Sequence, residues 1–261
     1  MERRISGYTT LIGLLATPIK HTSSPKMHNE AFRYLGLDYA YLAFEVGNEG
    51  LEDAVKGLKA MQARGCNVSM PNKTVIHKYL DKLTPAAELA GAVNTVINDD
   101  GVLTGHITDG VGYMRSLSDA GFDVIGKKMT IVGAGGAATA ICIQAALDGV
   151  AELSIFNQDD EFFARAEIAD SVIFTNGTGM GMKPYVGQTY IEKDMLRPDL
   201  IVSDVVYQPA KTRLLELAEE VGCPTINGLG MMLFQGAEAF KCWTGQEMPI
   251  DHMKEFLFGD K

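Results

Sequence analysis

Short apolar runs alternate with segments of helical periodicity from one end of the chain to the other. In the first half, β-branched apolar runs predict strands, and apolar residues spaced three and four apart predict the helices between them. The predicted strands are residues 10–16, 39–46, 67–70, 92–96 and 102–106, and the predicted helices are residues 25–35, 52–63, 74–80 and 109–120. This alternation is typical of a parallel or mixed sheet covered by helices.

The second half contains a strand, a glycine turn and a helix in direct succession. Residues 129–132 are apolar and strand-like, Gly133, Gly135 and Gly136 follow at once, and residues 137–146 predict a helix. Glycines let the backbone approach a pyrophosphate, and the start of a helix offers free N–H groups to an anion. The pattern predicts a dinucleotide site, and the alternative is a tight structural turn in another α/β protein.

A second strand, residues 153–156, ends at Asn157 and is followed by Gln158, Asp159 and Asp160. Carboxylates at this strand tip are placed to bind the ribose hydroxyls of a dinucleotide. Further predicted strands are residues 171–175, 200–206 and 225–227, and further predicted helices are residues 161–169, 212–221 and 228–240.

The interval between the second and third strands of this half is unusually short. Residues 158–170 alone connect them, whereas a strand–helix–strand unit needs on the order of 30 residues. We therefore expect an edge strand of the usual dinucleotide-binding sheet to be missing. Either the chain is shorter at this point than a standard fold, or a disordered stretch has been omitted from the sequence; the abrupt junction favours the second.

Composition narrows the class of protein and of partner. The 261 residues are enough for one large or two modest domains, and no apolar run is long enough to span a membrane. The net charge of −10, without a Lys/Arg cluster, argues against nucleic acid and anionic membranes as partners. Four scattered cysteines and the lack of an apolar signal core indicate a reducing, cytoplasmic location without a metal cluster.

Polar residues follow several strands of the first half, where ligands of such sheets gather. Thr22 and Ser24 precede Pro25 at the start of a helix, and Ser24 fits the N-cap position. Lys73 follows the third strand, in a first helical turn where a lysine is unfavourable for the helix dipole; this favours a functional role, and the alternative is a surface lysine. Asp109 fits a helix N-cap, and capping alone would explain it.

Several motifs together resemble one family, the shikimate dehydrogenases, over nearly the whole chain. The resemblance is strongest to the branch of quinate/shikimate dehydrogenases that accept NAD. The motifs, in order, are HTSSP (21–25), NVSMPNK (67–73), AVNT (92–95), ITDG (107–110), GAGGAA (133–138), NGTGMGM (176–182), DVVYQP (204–209) and GLGMMLFQ (228–235).

The resemblance implies a two-domain α/β protein that oxidises shikimate reversibly to 3-dehydroshikimate, a step of aromatic amino acid biosynthesis, and that acts on quinate as a further candidate substrate. Residues 1–109 and 229–261 would form the substrate domain, and residues 110–228 the Rossmann-like dinucleotide-binding domain. A homodimer is a candidate assembly.

The resemblance also implies roles for individual residues. Lys73 and Asp109 would be the catalytic pair. The residues expected to hold the substrate are Thr22, Ser24, Ser69, Asn94, Tyr207 and Gln235. The residues expected to contact the dinucleotide are Gly133, Ala134, Gly135, Gly136, Ala137, Asn157, Gln158, Asp160, Thr178 and Gly228.

Three departures from the family pattern qualify these expectations. Thr22 replaces the usual serine and narrows the pocket by a methyl group, and Ile107 replaces the usual asparagine before the Thr-Asp pair. Gln158 stands where NADP-preferring relatives carry an arginine, and two carboxylates follow it, so a 2′-phosphate would meet charge repulsion. NAD is therefore the expected cofactor. The alternative function is a dinucleotide-binding sensor without turnover, which only Thr22 and Ile107 support.

Overall fold

The chain folds into two compact units. A computed structural model describes residues 5–157 and 167–259. Unit 1 comprises Met1–Thr108 and Gln235–Lys261, and unit 2 comprises Asp109–Phe234. The second boundary between the units falls before Gln235, inside the helix Gly228–Thr244. It lies six residues later than the boundary expected from the sequence, before residue 229. The helices in the described part of the chain are too short or too polar to cross a bilayer.

Unit 1 is a six-stranded mixed sheet flanked by helices. Its elements are β1 Thr10–Ala16, α1 Ser24–Leu35, β2 Tyr39–Glu45, α2 Leu51–Ala60, β3 Gly65–Val68, β4 Lys82–Leu83, α3 Pro85–Ala90, β5 Thr95–Asp99 and β6 Val102–His106. In the sheet order β2-β1-β3-β5-β6-β4, β1 pairs in parallel with β2 and β3, whereas β5 runs antiparallel to β3 and β6.

Unit 2 is an all-parallel sheet in the order β11-β10-β9-β7-β8. Its elements are α4 Asp109–Asp119, β7 Lys128–Val132, α5 Gly136–Asp148, β8 Glu152–Phe156, β9 Ile173–Asn176, β10 Ile201–Asp204, α6 Arg213–Val221, β11 Thr225–Ile226 and the first part of α7 Gly228–Thr244; α8 Ile250–Phe258 belongs to unit 1. The predicted α/β, Rossmann-like fold class is confirmed. Among the described strands, β8 forms the edge of the sheet at which the missing strand was expected.

One predicted helix takes a different form. Residues 74–80 were expected to be α-helical, but the chain forms two short 3₁₀ helices, Asn72–Thr74 and Ile76–Tyr79. Such segments are too short to leave a clear helical period in the sequence, and their geometry is set by tertiary contacts of the loop after β3.

An aromatic cluster fills the core of unit 1 beside α7. The fully buried His28 ring stacks on Tyr41 at a centroid distance of 4.5 Å and meets Trp243 edge-on at 5.3 Å. Within the described part of the chain, neither ring nitrogen has a hydrogen-bond partner. Burial lowers the pKa of His28 from 6.5 to about 3, so the ring is neutral in the folded protein.

We expect His28→Leu to make the protein less sensitive to acid. Below pH 6.5 the unfolded chain protonates His28 while the folded protein does not, so its contribution to stability is present above pH 6.5 and is lost as the pH falls toward 3. The loss is about 1.4 kcal/mol per pH unit, or about 2 kcal/mol at pH 5.

The measurement is urea denaturation by circular dichroism at pH 8 and pH 5 for both proteins. Taking the difference between variant and wild type cancels the pH dependence of other groups. A difference that stays constant between the two pH values would show that His28 is protonated equally in both states.

Candidate active site

The loop between β1 and α1 brings two hydroxyl groups together. Thr22 Oγ1 donates to Ser24 Oγ at 3.2 Å and accepts the Ser24 backbone N–H at 3.2 Å. The N-cap residue of α1 is Ser23 and not Ser24, and Ser23 makes no side-chain capping bond. The prediction of Ser24 as the cap is therefore wrong, and its half-buried hydroxyl makes other contacts.

The loop after β3 holds Lys73 by its backbone. Asn72 is fully buried, and its Nδ2 donates to the carbonyl of Val46 at 2.8 Å and to that of Leu15 at 3.3 Å. The carbonyl of Lys73 itself accepts the N–H of Val93 at 2.9 Å. These bonds tie the loop to the ends of neighbouring strands, so the half-buried Lys73 side chain starts from a fixed backbone. Asn72 was not singled out from the sequence.

Asn94 is locked against Thr108, the residue before Asp109. Asn94 Nδ2 donates to Thr108 Oγ1 at 3.0 Å, and Asn94 Oδ1 accepts the N–H of Thr108 at 2.9 Å. Both side chains are buried, and Asp109 is only 6% exposed. The sequence analysis did not identify Thr108 as a partner of Asn94. Its position directly before the predicted catalytic Asp109 is the signal that could have drawn attention to it.

The predicted residues of unit 1 gather at one edge of its sheet. The carboxyl ends of β1, β3 and β6 and the start of the antiparallel β5 share this edge, as the pairing of Asn67 with Thr95 and of Thr95 with His106 requires. The residues at this edge, on the loops or in the helical turns that follow them, are Thr22, Ser24, Ser69, Lys73 and Asn94. Gln235 is half-buried in the part of α7 that belongs to unit 1.

Asp109, Tyr207 and the predicted dinucleotide residues belong to unit 2. The turn between β7 and α5 has the form that a phosphate site requires. Gly133 adopts φ +129°, and a Cβ atom there would lie 2.9 Å from the carbonyl of Gly177. Gly135 and Gly136 are exposed, and a Cβ atom on either would meet nothing within 4 Å. A diphosphate fits this turn, because the open side faces the first N–H groups of the 13-residue helix α5.

A second turn of unit 2, after β9, is held by a buried carboxylate. Thr178 bonds Asn176 Oδ1 through both its N–H, at 3.1 Å, and its hydroxyl, at 2.7 Å. Asn176 Nδ2 donates to Asp204 Oδ1 at 3.0 Å, and Thr212 donates to Asp204 Oδ2 at 2.6 Å. Burial raises the pKa of Asp204 to about 6. Asp204 thus links the loops after β9 and β10.

The other predicted positions of unit 2 are partly described. Asn157 is exposed directly after β8, and Tyr207 is 46% exposed after β10. Gly228 is the first residue of α7, and its N–H donates to the carbonyl of Val206 at 3.0 Å. Ala134 is exposed and Ala137 half-buried in the glycine turn. Gln158, Asp159 and Asp160 lie outside the described residues.

Two family models match the chain. The substrate-binding domain of shikimate dehydrogenase matches residues 14–96, and the C-terminal domain of shikimate 5'-dehydrogenase matches residues 228–257. The first match spans the loops that carry the hydroxyl and lysine residues of unit 1, and the second spans α7 and α8.

Close relatives carry the same family name. A shikimate dehydrogenase (NADP(+)) of Listeria monocytogenes serotype 4b is 66% identical over 99% of both chains, and one of Streptococcus uberis is 53% identical over 100% of this chain and 99% of the relative. A crystal structure of shikimate 5-dehydrogenase from Listeria monocytogenes in complex with shikimate and NAD has a TM-score of 0.95 at 63% identity, with 99% of both chains covered.

The prediction of NAD as the preferred cofactor is wrong. Relatives at 66% and 53% identity are named as NADP(+) enzymes. The prediction rested on the charges of Asp159 and Asp160, which repel a 2′-phosphate only if their side chains face the ribose. The sequence does not fix that direction.

The alignment with the Listeria relative is longer than this chain. It runs over 287 positions, which is 26 more than the 261 residues here. The relative therefore has residues without a counterpart in this chain, although the match covers 99% of both. With a relative of this identity and coverage, the resemblance is confirmed: the chain belongs to the shikimate dehydrogenase family.

Proposed function

We propose that this protein catalyses the reversible oxidation of shikimate to 3-dehydroshikimate with NADP as the dinucleotide. It is an oxidoreductase that acts on an alcohol group. The observation that carries the proposal is the fixed loop after β3, where Asn72 and Val93 hold the backbone of Lys73 beside the hydroxyl and amide residues of the same sheet edge. The names of the close relatives support both substrate and dinucleotide.

Lys73 and Asp109 serve as the pair that moves the proton of the reacting hydroxyl. Oxidation of an alcohol carbon requires removal of the hydroxyl proton, and the reverse reaction requires its return, so a proton-transfer group must touch that oxygen. Lys73 takes the proton in oxidation, as the neutral amine, and donates it in reduction, as the ammonium group; Asp109 is the acidic member of the pair. The nicotinamide, when bound, supplies the acceptor or donor of the hydride.

The substrate is held by polar groups, because its ring carries hydroxyls and a carboxylate. Thr22, Ser24, Ser69 and Asn94 provide hydroxyl and amide groups at one sheet edge, and Gln235 and Tyr207 complete the set. We propose that quinate, another ring polyol with a carboxylate, is a poorer substrate than shikimate, because the methyl group of Thr22 narrows the pocket.

The diphosphate of NADP is bound by the turn between β7 and α5. The open side of Gly135 and Gly136 admits the phosphates, and the first N–H groups of α5 donate to them. Thr178, fixed by Asn176, borders the same sheet end and contacts the dinucleotide.

The test is a steady-state assay of the purified protein with shikimate or quinate and with NADP or NAD. We expect turnover with shikimate, a higher kcat/KM with NADP than with NAD, and a lower kcat/KM for quinate. NADP binding without turnover of either substrate would instead support a sensor, and a kcat/KM for quinate above that for shikimate would contradict the proposed substrate.

A further inference from the structure

A chain of buried hydrogen bonds crosses unit 1 beneath the proposed substrate residues. The hydroxyl of Tyr41 donates to Asn67 Oδ1 at 2.7 Å. Asn67 Nδ2 in turn donates to the carbonyl of Asn94 and to Thr95 Oγ1, each at 3.1 Å. Tyr41 is 1% exposed, Asn67 7% and Thr95 0%, so water does not compete for these bonds.

Burial also keeps the Tyr41 hydroxyl protonated. It raises the pKa of Tyr41 well above its usual value, and the Ser24 side chain acts in the opposite direction. The phenol therefore retains the proton that it donates to Asn67 Oδ1.

The direction of the chain is set by the amide of Asn67, whose Oδ1 can only accept and whose Nδ2 can only donate. Because Asn67 donates to Thr95, the hydroxyl proton of Thr95 is left for Asn94 Oδ1 at 3.1 Å or Thr108 Oγ1 at 3.4 Å. Asn94 Oδ1 also accepts the N–H of Thr108. A change at Tyr41 therefore alters the bonds of Asn67 and, through them, those of Thr95 and Asn94.

The ring of Tyr41 packs among aromatic side chains, which do not require its hydroxyl group. The ring stacks on His28 at 4.5 Å and lies 6.1 Å from the ring of Trp243, a setting in which phenylalanine would pack equally well. A buried hydroxyl is costly unless it is hydrogen-bonded, and its bond to Asn67 leads to the proposed substrate residue Asn94.

We propose that Tyr41 is a positioning residue, which acts through Asn67 on Asn94 and Thr95 to orient the groups that hold the substrate. This inference rests on the proposed function. Neither Tyr41 nor Asn67 touches the reacting atoms in this account. Their effect is on substrate binding, and dinucleotide binding is independent of them because the glycine turn belongs to unit 2.

The first test is Tyr41→Phe, with Tyr39→Phe as the matched control. Tyr39 lies two residues earlier on β2, where its half-buried ring stacks on Phe32 at 5.1 Å. We expect Tyr41→Phe to raise the KM for shikimate about tenfold, which corresponds to about 1.4 kcal/mol. The KM for NADP stays within about twofold of wild type, and Tyr39→Phe leaves both KM values unchanged.

A second set of variants tests the far end of the chain and does not depend on the folding of Tyr41→Phe. Thr95→Val removes the hydroxyl with little change of shape and is expected to raise the KM for shikimate, whereas Thr95→Ser restores the hydroxyl and the wild-type KM. Because the bonds act in series, the double variant Tyr41→Phe/Thr95→Val should be little worse than either single variant.

The outcomes separate this inference from the proposed function. Wild-type protein that fails to oxidise shikimate would overturn the function itself. If wild type turns over, an unchanged KM for shikimate in both Tyr41→Phe and Thr95→Val overturns the positioning role, as do fully additive effects in the double variant. Equal rises in the KM values for shikimate and NADP would indicate general damage to the fold and also overturn it.

Discussion

Replacement of Lys73 by methionine is expected to lower kcat for shikimate oxidation by at least about 100-fold, the typical contribution of a proton-transfer group. Methionine keeps most of the length of the side chain and removes the ammonium group. The backbone bond of residue 73 and the side-chain bonds of Asn72 do not involve the ammonium group, so the loop should keep its form. Calorimetric titration should give a Kd for NADP within about threefold of wild type.

Lys78→Met is the matched control for this prediction. Lys78 is exposed in the adjoining 3₁₀ helix, Ile76–Tyr79, and its replacement removes the same charge from the same segment. We expect it to leave kcat unchanged. If Lys73→Met retains wild-type kcat at saturating shikimate, the proton is transferred by another group and the assignment of Lys73 fails.

Gly135→Asp is expected to weaken NADP binding by at least about 100-fold without destabilising the protein. Gly135 is the N-cap of α5 with φ −79° and ψ 175°, a conformation open to any residue, and a Cβ atom there meets nothing within 4 Å. Aspartate is a favoured N-cap residue, so the helix should tolerate it well. Its carboxylate would occupy the space of the phosphates and repel them, at about 4 kcal/mol for unit charges 4 Å apart near a protein surface.

Gly135→Asn separates charge from bulk in this experiment. Asparagine has almost the same shape, caps helices equally well and carries no charge, so the loss of NADP affinity should be clearly smaller. The measurements are calorimetric Kd values for NADP and thermal midpoints for the three proteins. Wild-type affinity in Gly135→Asp would place the phosphates away from this turn.

The parts of the fold that could be predicted are those whose sequence signal is local. The strand–glycine turn–helix unit around Gly133 and the short interval after Phe156 were both evident, because strand and helix periods and glycine positions depend on neighbouring residues. The loop positions of Lys73 and Asn94 followed from the same strand pattern and from the resemblance.

The residues that the sequence did not reveal are defined by tertiary contacts. Asn72, Thr108 and Tyr41 bond to partners 14 to 57 positions away in the sequence. These residue types also occur on protein surfaces, so the type alone does not indicate a buried bond. The error in cofactor preference has a similar cause. A charge such as that of Asp160 can be counted from the sequence, but its distance from a ribose cannot.

Trp243 offers a practical way to follow one half of the molecule. It is the single tryptophan of the chain, it is 2% exposed, and its indole N–H donates to the carbonyl of Val96 at 2.9 Å within unit 1. Tryptophan fluorescence, excited at a wavelength that tyrosine does not absorb, therefore reports the unfolding of unit 1 alone, while circular dichroism reports both units. Coincident transitions from the two signals would identify a single cooperative molecule, and separate midpoints would give each unit its own stability.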